Sequence, residues 1–154
     1  MKFSTVTLFA SAASAAAIKR QVFPVFDVTD FEAGCVPHST QCIYSFKVKQ
    51  HASMETEGVS CRAQVTADVP NRLPAVSEGT CEESSRTWKI VKSASEPVNL
   101  SLFVSQPISP ISNTTGVHTI QADELAITTP ENPNGAVQYY TGATSFELFA
   151  PDYE

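Results

Sequence analysis

Along this chain, apolar and polar positions alternate with a period of two. Cys42, Tyr44, Phe46 and Val48 alternate with Ile43, Ser45 and Lys47. Val59, Cys61, Ala63 and Val65 share one side of the next run, with Ser60, Arg62 and Gln64 on the other. Trp88 and Ile90 mark one face of Thr87–Val91, and Val98, Leu100, Leu102 and Val104 alternate with Asn99, Ser101 and Phe103. Successive side chains of an extended backbone point to opposite faces, so the pattern predicts half-buried antiparallel strands. Further strands are predicted over Val25–Phe31, Val117–Gln121, Glu124–Thr128, Ala136–Tyr140 and Ser145–Phe149. Turn chemistry separates them at Gly34, Glu57-Gly58, Pro70-Asn71, Glu78-Gly79, Pro107, Pro110, Pro130 to Gly135 and Thr141-Gly142. No stretch carries a sustained helical stripe. Eight or nine short strands without a dividing linker predict one all-β domain, an antiparallel β-sandwich or β-barrel.

The first twenty residues break this pattern. Met1-Lys2-Phe3 is a short positive start, Thr5–Ala17 is uncharged, and Ala15-Ala16-Ala17 ends it with small residues. The uncharged run is too short to span a bilayer, which takes ~20 apolar residues, and it reads as a signal peptide over 1–17 with Ala17 at the cut. Lys19-Arg20 follows as a dibasic pair, the kind of site at which secretory endoproteases trim a propeptide, here 18–20. The working domain is then 21–154. Cleavage after Arg20 leaves 134 of the 154 residues and removes three of ten basic ones, so seven oppose sixteen acidic residues, a formal −9 in place of −6. No later segment is long and apolar enough to span a membrane, and the C-terminal residues lack the hydrophobic tail of a lipid-anchor signal. The expected location is secreted and extracellular.

Secretion changes how the cysteines are read. Cys35, Cys42, Cys61 and Cys81 are an even set, for which an oxidising compartment predicts two disulfides in one of three connectivities. Zinc would want pairs spaced C-x2-C, and the gaps here are wider. Local pairing would close two short loops, contributing ~2.5 and ~3.3 kcal/mol in the chain-entropy view. Two N-x-[ST] sequons, at Asn99 and Asn113, are glycan acceptor sites in a secreted chain. Asn113 lies in a loop rich in Pro, Ser and Thr, whereas Asn99 sits on a predicted strand and must face outward, opposite Val98, Leu100 and Leu102.

Charge is uneven. From Ser93 to the end there is no Lys or Arg, while seven acidic residues fall there. An acid excess argues against a nucleic-acid partner, whose phosphates are met by Lys and Arg. The acidic half is either a solvated surface or a docking face for a basic partner.

Catalytic machinery is sparse. His38, His51 and His118 are not paired at i, i+2 or i, i+4, so no metal site is expected, and no cofactor motif is present. The mature N-terminus is not His, which disfavours a copper oxygenase. Glu55/Glu57, Glu82/Glu83 and Asp123/Glu124 are close in sequence, but a glycosidase needs two carboxylates across a cleft. Trp88, Tyr139 and Tyr140 would make a sugar-stacking surface if they share a face; Trp88, on a strand next to Cys81, reads more readily as core.

Several segments together resemble a known family. Asp30-Phe31-Glu32-Ala33-Gly34-Cys35, Pro37-His38-Ser39-Thr40-Gln41-Cys42 and Tyr44–Val48 are similar to the small secreted fungal elicitors that induce the hypersensitive response. So are Ser60–Gln64, Leu73–Val76, Gly79-Thr80-Cys81, Thr87-Trp88, Val104–Pro107 and Thr144–Leu148. The likeness spans nearly all of 21–154, and this group is in turn similar to the Alternaria major-allergen family of fungal β-proteins. In that family a Cys-x-Ala-Gln strand is disulfide-linked to a following Cys, which implies Cys61–Cys81 and leaves Cys35 to Cys42. The allergen's N-terminal Cys that joins two chains matches Cys35, yet Cys42 offers a local partner, so a monomer or non-covalent dimer is expected; the allergen's C-terminal pair is absent. The resemblance implies a non-enzymatic effector that triggers plant defence and cell death. Its partners would be plant apoplastic defence proteins, with thaumatin-like proteins as one class, or surface receptors. A cell-wall-associated structural or carbohydrate-binding protein is the alternative, and a small hydrolase with an unrecognised site a third.

Overall fold

A computed structural model describes residues 22–68, 71–128 and 135–151; the processing sites Ala17, Lys19 and Arg20 lie outside them. Ten strands form in chain order: β1 Pro24–Cys35, β2 Gln41–Gln50, β3 Val59–Thr66, β4 Val76–Thr80, β5 Thr87–Lys92, β6 Leu100–Ser109, β7 Ser112–Ile120, β8 Leu125–Ile127, β9 Gln138–Tyr140 and β10 Phe146–Phe149. No α-helix occurs among the described residues; a 3-10 turn at Ala122–Glu124 precedes β8. Eight strands follow one another around a nearly closed antiparallel barrel in the order β3-β2-β1-β10-β7-β6-β5-β4, and β8 and β9 pair beside it, β9 touching β1 at Gly34. Of the two folds that the alternation allowed, the barrel is the one formed.

The seam lies between β3 and β4. They meet at a single bridge, Cys61 opposite Cys81, supported by Glu82 N–H donating to the Ser60 carbonyl at 2.8 Å and by the Cys61–Cys81 disulfide. Cys35–Cys42 instead joins β1 and β2 at directly opposed positions of an existing ladder.

Three predicted turns prove to be strand, the first being Gly34, which lies within β1 opposite Ile43 of β2 and Tyr139 of β9. Glu78-Gly79 lies within β4, because Gly79 is packed under the Trp88 indole, and a Cβ there would stand 2.3 Å from Trp88 Cε2. Pro107 lies within β6, and the chain reverses only at Pro110. Gln121 falls outside β7, and Asn99 precedes β6 in the connection from β5.

One sequence irregularity sets the path of β1. Its buried positions are Phe26 and Val28, then Phe31, Ala33 and Cys35, so the inward phase slips by one residue. A bulge between Thr29 and Glu32 produces the slip, with Asp30 at φ 53°, a left-handed conformation that Asp tolerates better than most side chains. Phe31 N–H, freed from β2, donates to the Thr144 carbonyl at 2.9 Å. β1 thereby pairs with β10 before the bulge and with β9 after it.

Inside, an aromatic chain crosses the barrel: His118 on Phe146 (ring centroids 4.0 Å), Phe146 on Phe31 (5.3 Å), Phe31 on Phe46 (5.9 Å), Phe46 on Trp88 (5.1 Å) and Trp88 on Tyr44 (6.2 Å). Most of these contacts are tilted or edge-to-face, the arrangement ring quadrupoles favour.

Candidate interaction surface

The two ends of the barrel are closed by different chemistry. At one end Arg86, 3% exposed, spans four elements. Its Nε donates to Gln106 Oε1 (2.8 Å), Nη1 to the Val48 carbonyl (3.1 Å) and Nη2 to Glu55 Oε1 (2.6 Å), and its guanidinium lies 5.9 Å from the Phe26 ring centroid. The Arg86 hydrogen bond holds the Glu55 carboxyl below its ordinary range against a smaller opposing effect of burial, and Gln50 N–H adds to the same direction. Sequence reading missed Arg86: after Glu82-Glu83-Ser84-Ser85 it looks like one more solvated charge.

The opposite end is covered by the stretch before β4. Leu73 is buried there; its N–H donates to Gln138 Oε1 (2.9 Å), Asn71 Nδ2 donates to the Ala136 carbonyl (3.3 Å), and the buried Tyr44 hydroxyl donates to the Pro74 carbonyl (2.8 Å). Burial drives the Tyr44 pKa upward, so this hydroxyl remains a donor. Beside Leu73 an open cleft of about 410 Å³ has Leu100 and Leu125 as its floor and Arg72, Lys92 and Glu96 at its rim. Lys92 is already paired with Asp68 at 2.5 Å. Among the described residues Glu96 is the one carboxylate that lines the cleft, and they supply no facing pair of the kind glycoside hydrolysis uses.

The remaining singled-out residues are dispersed. His38 is exposed on the β1–β2 turn at φ 58°, His51 contacts Asp27 on the outer wall, and His118 packs inside. Trp88 is 2% exposed and donates to the Thr80 carbonyl. Tyr139 faces out while Tyr140 is packed edge-on against Phe31 and donates to the Ala143 carbonyl. These three rings share no surface, because Trp88 is core and the tyrosines are adjacent in a strand. Asn99 is half-buried, its Oδ1 accepting from Ala122 N–H at 2.9 Å, whereas Asn113 is exposed near the β6–β7 turn.

The outer surface of β6 and β7 is unlike the rest of this acidic protein. Neither LSLFVSQPIS nor SNTTGVHTI contains an Asp, Glu, Lys or Arg. Strand register places Phe103, Val117, Phe149 and Pro24 in one outward row across β6, β7, β10 and β1. Two strand spacings put Phe103 and Phe149 about 10 Å apart. Hydroxyls flank the row on both sides, Ser101 with Thr119 (3.2 Å) and Ser105 with Thr115 (2.7 Å), and Lys89 Nζ lies 4.9 Å from the Phe103 ring centroid. Toward the Arg86 end the hairpin ends in Ile108, 65% exposed, and Ile111, 98% exposed. Exposed isoleucines at a hairpin tip, with no charge on the supporting strands, form a surface suited to being covered. Alternation put only Phe103 of this row opposite the buried face of its strand, and the register aligned it with the other three.

No protein-family model matches the chain, and no curated protein matches it significantly.

Proposed function

We propose that this protein is an exported elicitor whose activity lies in being bound. Plant apoplastic defence proteins, with thaumatin-like proteins as one class, or plant surface receptors engage it, and defence and hypersensitive cell death follow. The observation that carries this reading is the uncharged β6–β7 hairpin with its exposed isoleucine tip, standing on a barrel that is otherwise acidic. A wall free of like charges lets a partner approach without electrostatic repulsion, and aliphatic anchors supply the desolvated centre that stable interfaces use. Two disulfides are compatible with an oxidising extracellular compartment, and no helix of the described residues is long and apolar enough to cross a membrane. All four cysteines are paired within the chain, so self-association in this reading is non-covalent.

Infiltration of the oxidised protein into leaves tests the proposal. Wild type at micromolar dose is expected to trigger an oxidative burst and necrosis. The double variant Ile108→Asp/Ile111→Asp is expected to lose activity about tenfold or more, in line with the loss of interface anchors. Because both side chains are exposed, its stability should stay within about 0.5 kcal/mol. An inert wild type across several hosts would overturn the elicitor reading, and a fully active double variant would remove the hairpin tip from it.

The second reading, a wall-associated carbohydrate-binding protein, is favoured by the Phe103–Phe149 row with its flanking hydroxyls, a flat platform on which sugar rings can stack. Retention on insoluble fungal polysaccharide, abolished by Phe103→Ala/Phe149→Ala, would support it; the elicitor reading expects no retention.

A further inference from the structure

We propose that Asp27, His51 and Glu147 form a divalent-cation site on the outer wall of the barrel, suited to Zn²⁺. Their ligand atoms all lie within 4.8 Å of one another. A cation bound at about 2.0–2.2 Å from each donor brings the donors to roughly 3–3.5 Å apart. Rotation of the exposed Glu147 side chain covers that difference, while Asp27 and His51 are already in contact, with His51 Nδ1 2.7 Å from Asp27 Oδ1.

The backbone holds the three residues together. Asp27 on β1 and Glu147 on β10 are direct antiparallel partners facing outward. Leu148, fully buried, and Phe146, stacked on His118 and against Phe31, anchor β10 on either side of Glu147. The carboxylates therefore cannot separate by sliding the strand. Two like charges directly opposite one another destabilise a sheet, and a bound cation reverses that sign. His51 N–H donates to the Val25 carbonyl at 2.8 Å, seating the imidazole two residues beyond Lys49, the cross-strand partner of Asp27 on β2. Lys49, directly across from Asp27 on the neighbouring strand, carries a charge that opposes a cation.

The donor set is one imidazole nitrogen and two carboxylates, from β1, β10 and the turn that follows β2. It matches zinc and related borderline metals, with the remaining positions left to water. The His51 Nδ1 atom would exchange its hydrogen bond to Asp27 for the metal; a neutral ring then carries its proton on Nε2, and only an imidazolium would release one. Local spacing along the chain predicts no such site, because its members are 24 and 96 residues apart in sequence.

Calorimetric titration of ZnCl₂ into the metal-stripped, disulfide-intact protein tests the proposal. One Zn²⁺ per chain is expected. His51→Ala should weaken binding about 100-fold, and Asp27→Asn and Glu147→Gln each about tenfold or more, at least the range seen when groups supporting a metal ligand are lost. Glu147 is exposed, so Glu147→Gln folds as wild type and keeps the test decisive even where His51→Ala does not fold. His38→Ala should bind as wild type. Absence of saturable binding at concentrations on the order of 1 mM would overturn the site, as would binding that survives Glu147→Gln and His51→Ala unchanged.

Discussion

His118 is stacked flat on Phe146, at 4.0 Å between centroids, and is half-buried inside the barrel wall. Burial holds its imidazole below the ordinary range, against the smaller opposing pulls of the Glu124 carboxylate and the Glu147 carbonyl. In the unfolded chain the ring takes up a proton near pH 6.5; in the folded protein it does so only at lower pH. Over that window the unfolded state binds more protons, so stability from this residue is full above about pH 6.5 and is lost as pH falls toward the folded pKa. The expected result is a melting temperature that falls more between about pH 7.5 and about pH 5.5 for wild type than for His118→Gln. Equal slopes would remove His118 as the cause. A lone His in a Thr-rich run gives no sign of an aromatic neighbour 28 residues further along the chain. Arg86 was less visible still, since its four partners come from distant parts of the chain.

At the scale of elements, two strands show where alternation fails as a guide. β1 changes phase at Asp30, and its inward residues therefore fall on even and then odd positions. β4 contains a single large apolar residue, Val76, and its Glu78-Gly79 has the composition of a turn. What makes it a strand is the Trp88 ring, which occupies the space where a residue-79 side chain would lie. A glycine inside a strand often marks such a close approach. Gly79→Ala is thus expected to destabilise the protein by about 1–3 kcal/mol, as overpacked cores do, read from the denaturant midpoint. Gly34→Ala is the matched control: its Cβ would meet Tyr139 Cβ at an ordinary 3.5 Å, and its stability should remain close to wild type. Loss of stability in both variants alike would assign the effect to backbone freedom instead of the Trp88 contact.

For the molecule as a whole, the disulfides are unequal. Cys35–Cys42 joins strands that already share a continuous ladder, while Cys61–Cys81 spans a seam with one bridge. Loop length alone separates their contributions by less than about 1 kcal/mol. Closure of the barrel should widen that gap: Cys61→Ser/Cys81→Ser is expected to lose about 3 kcal/mol or more and to speed amide exchange in β3 and β4 specifically. Cys35→Ser/Cys42→Ser should cost less and leave exchange at the seam unchanged. Equal losses with uniform exchange would mean that the seam is held by packing.

The sequence by itself determined the class of fold, most strand positions and the presence of an even cysteine set, because strand periodicity and turn chemistry are local properties of neighbouring residues. The pairing Cys35–Cys42 and Cys61–Cys81 is shown by the structure. The tertiary structure alone decided that the strands close into a barrel, that Arg86 and Leu73 cover its ends, and that Phe103, Val117 and Phe149 fall in one row. It alone brought Asp27, His51 and Glu147 together. Each of these depends on which strands become neighbours and in what register, and a one-residue change of register turns every side chain to the opposite face.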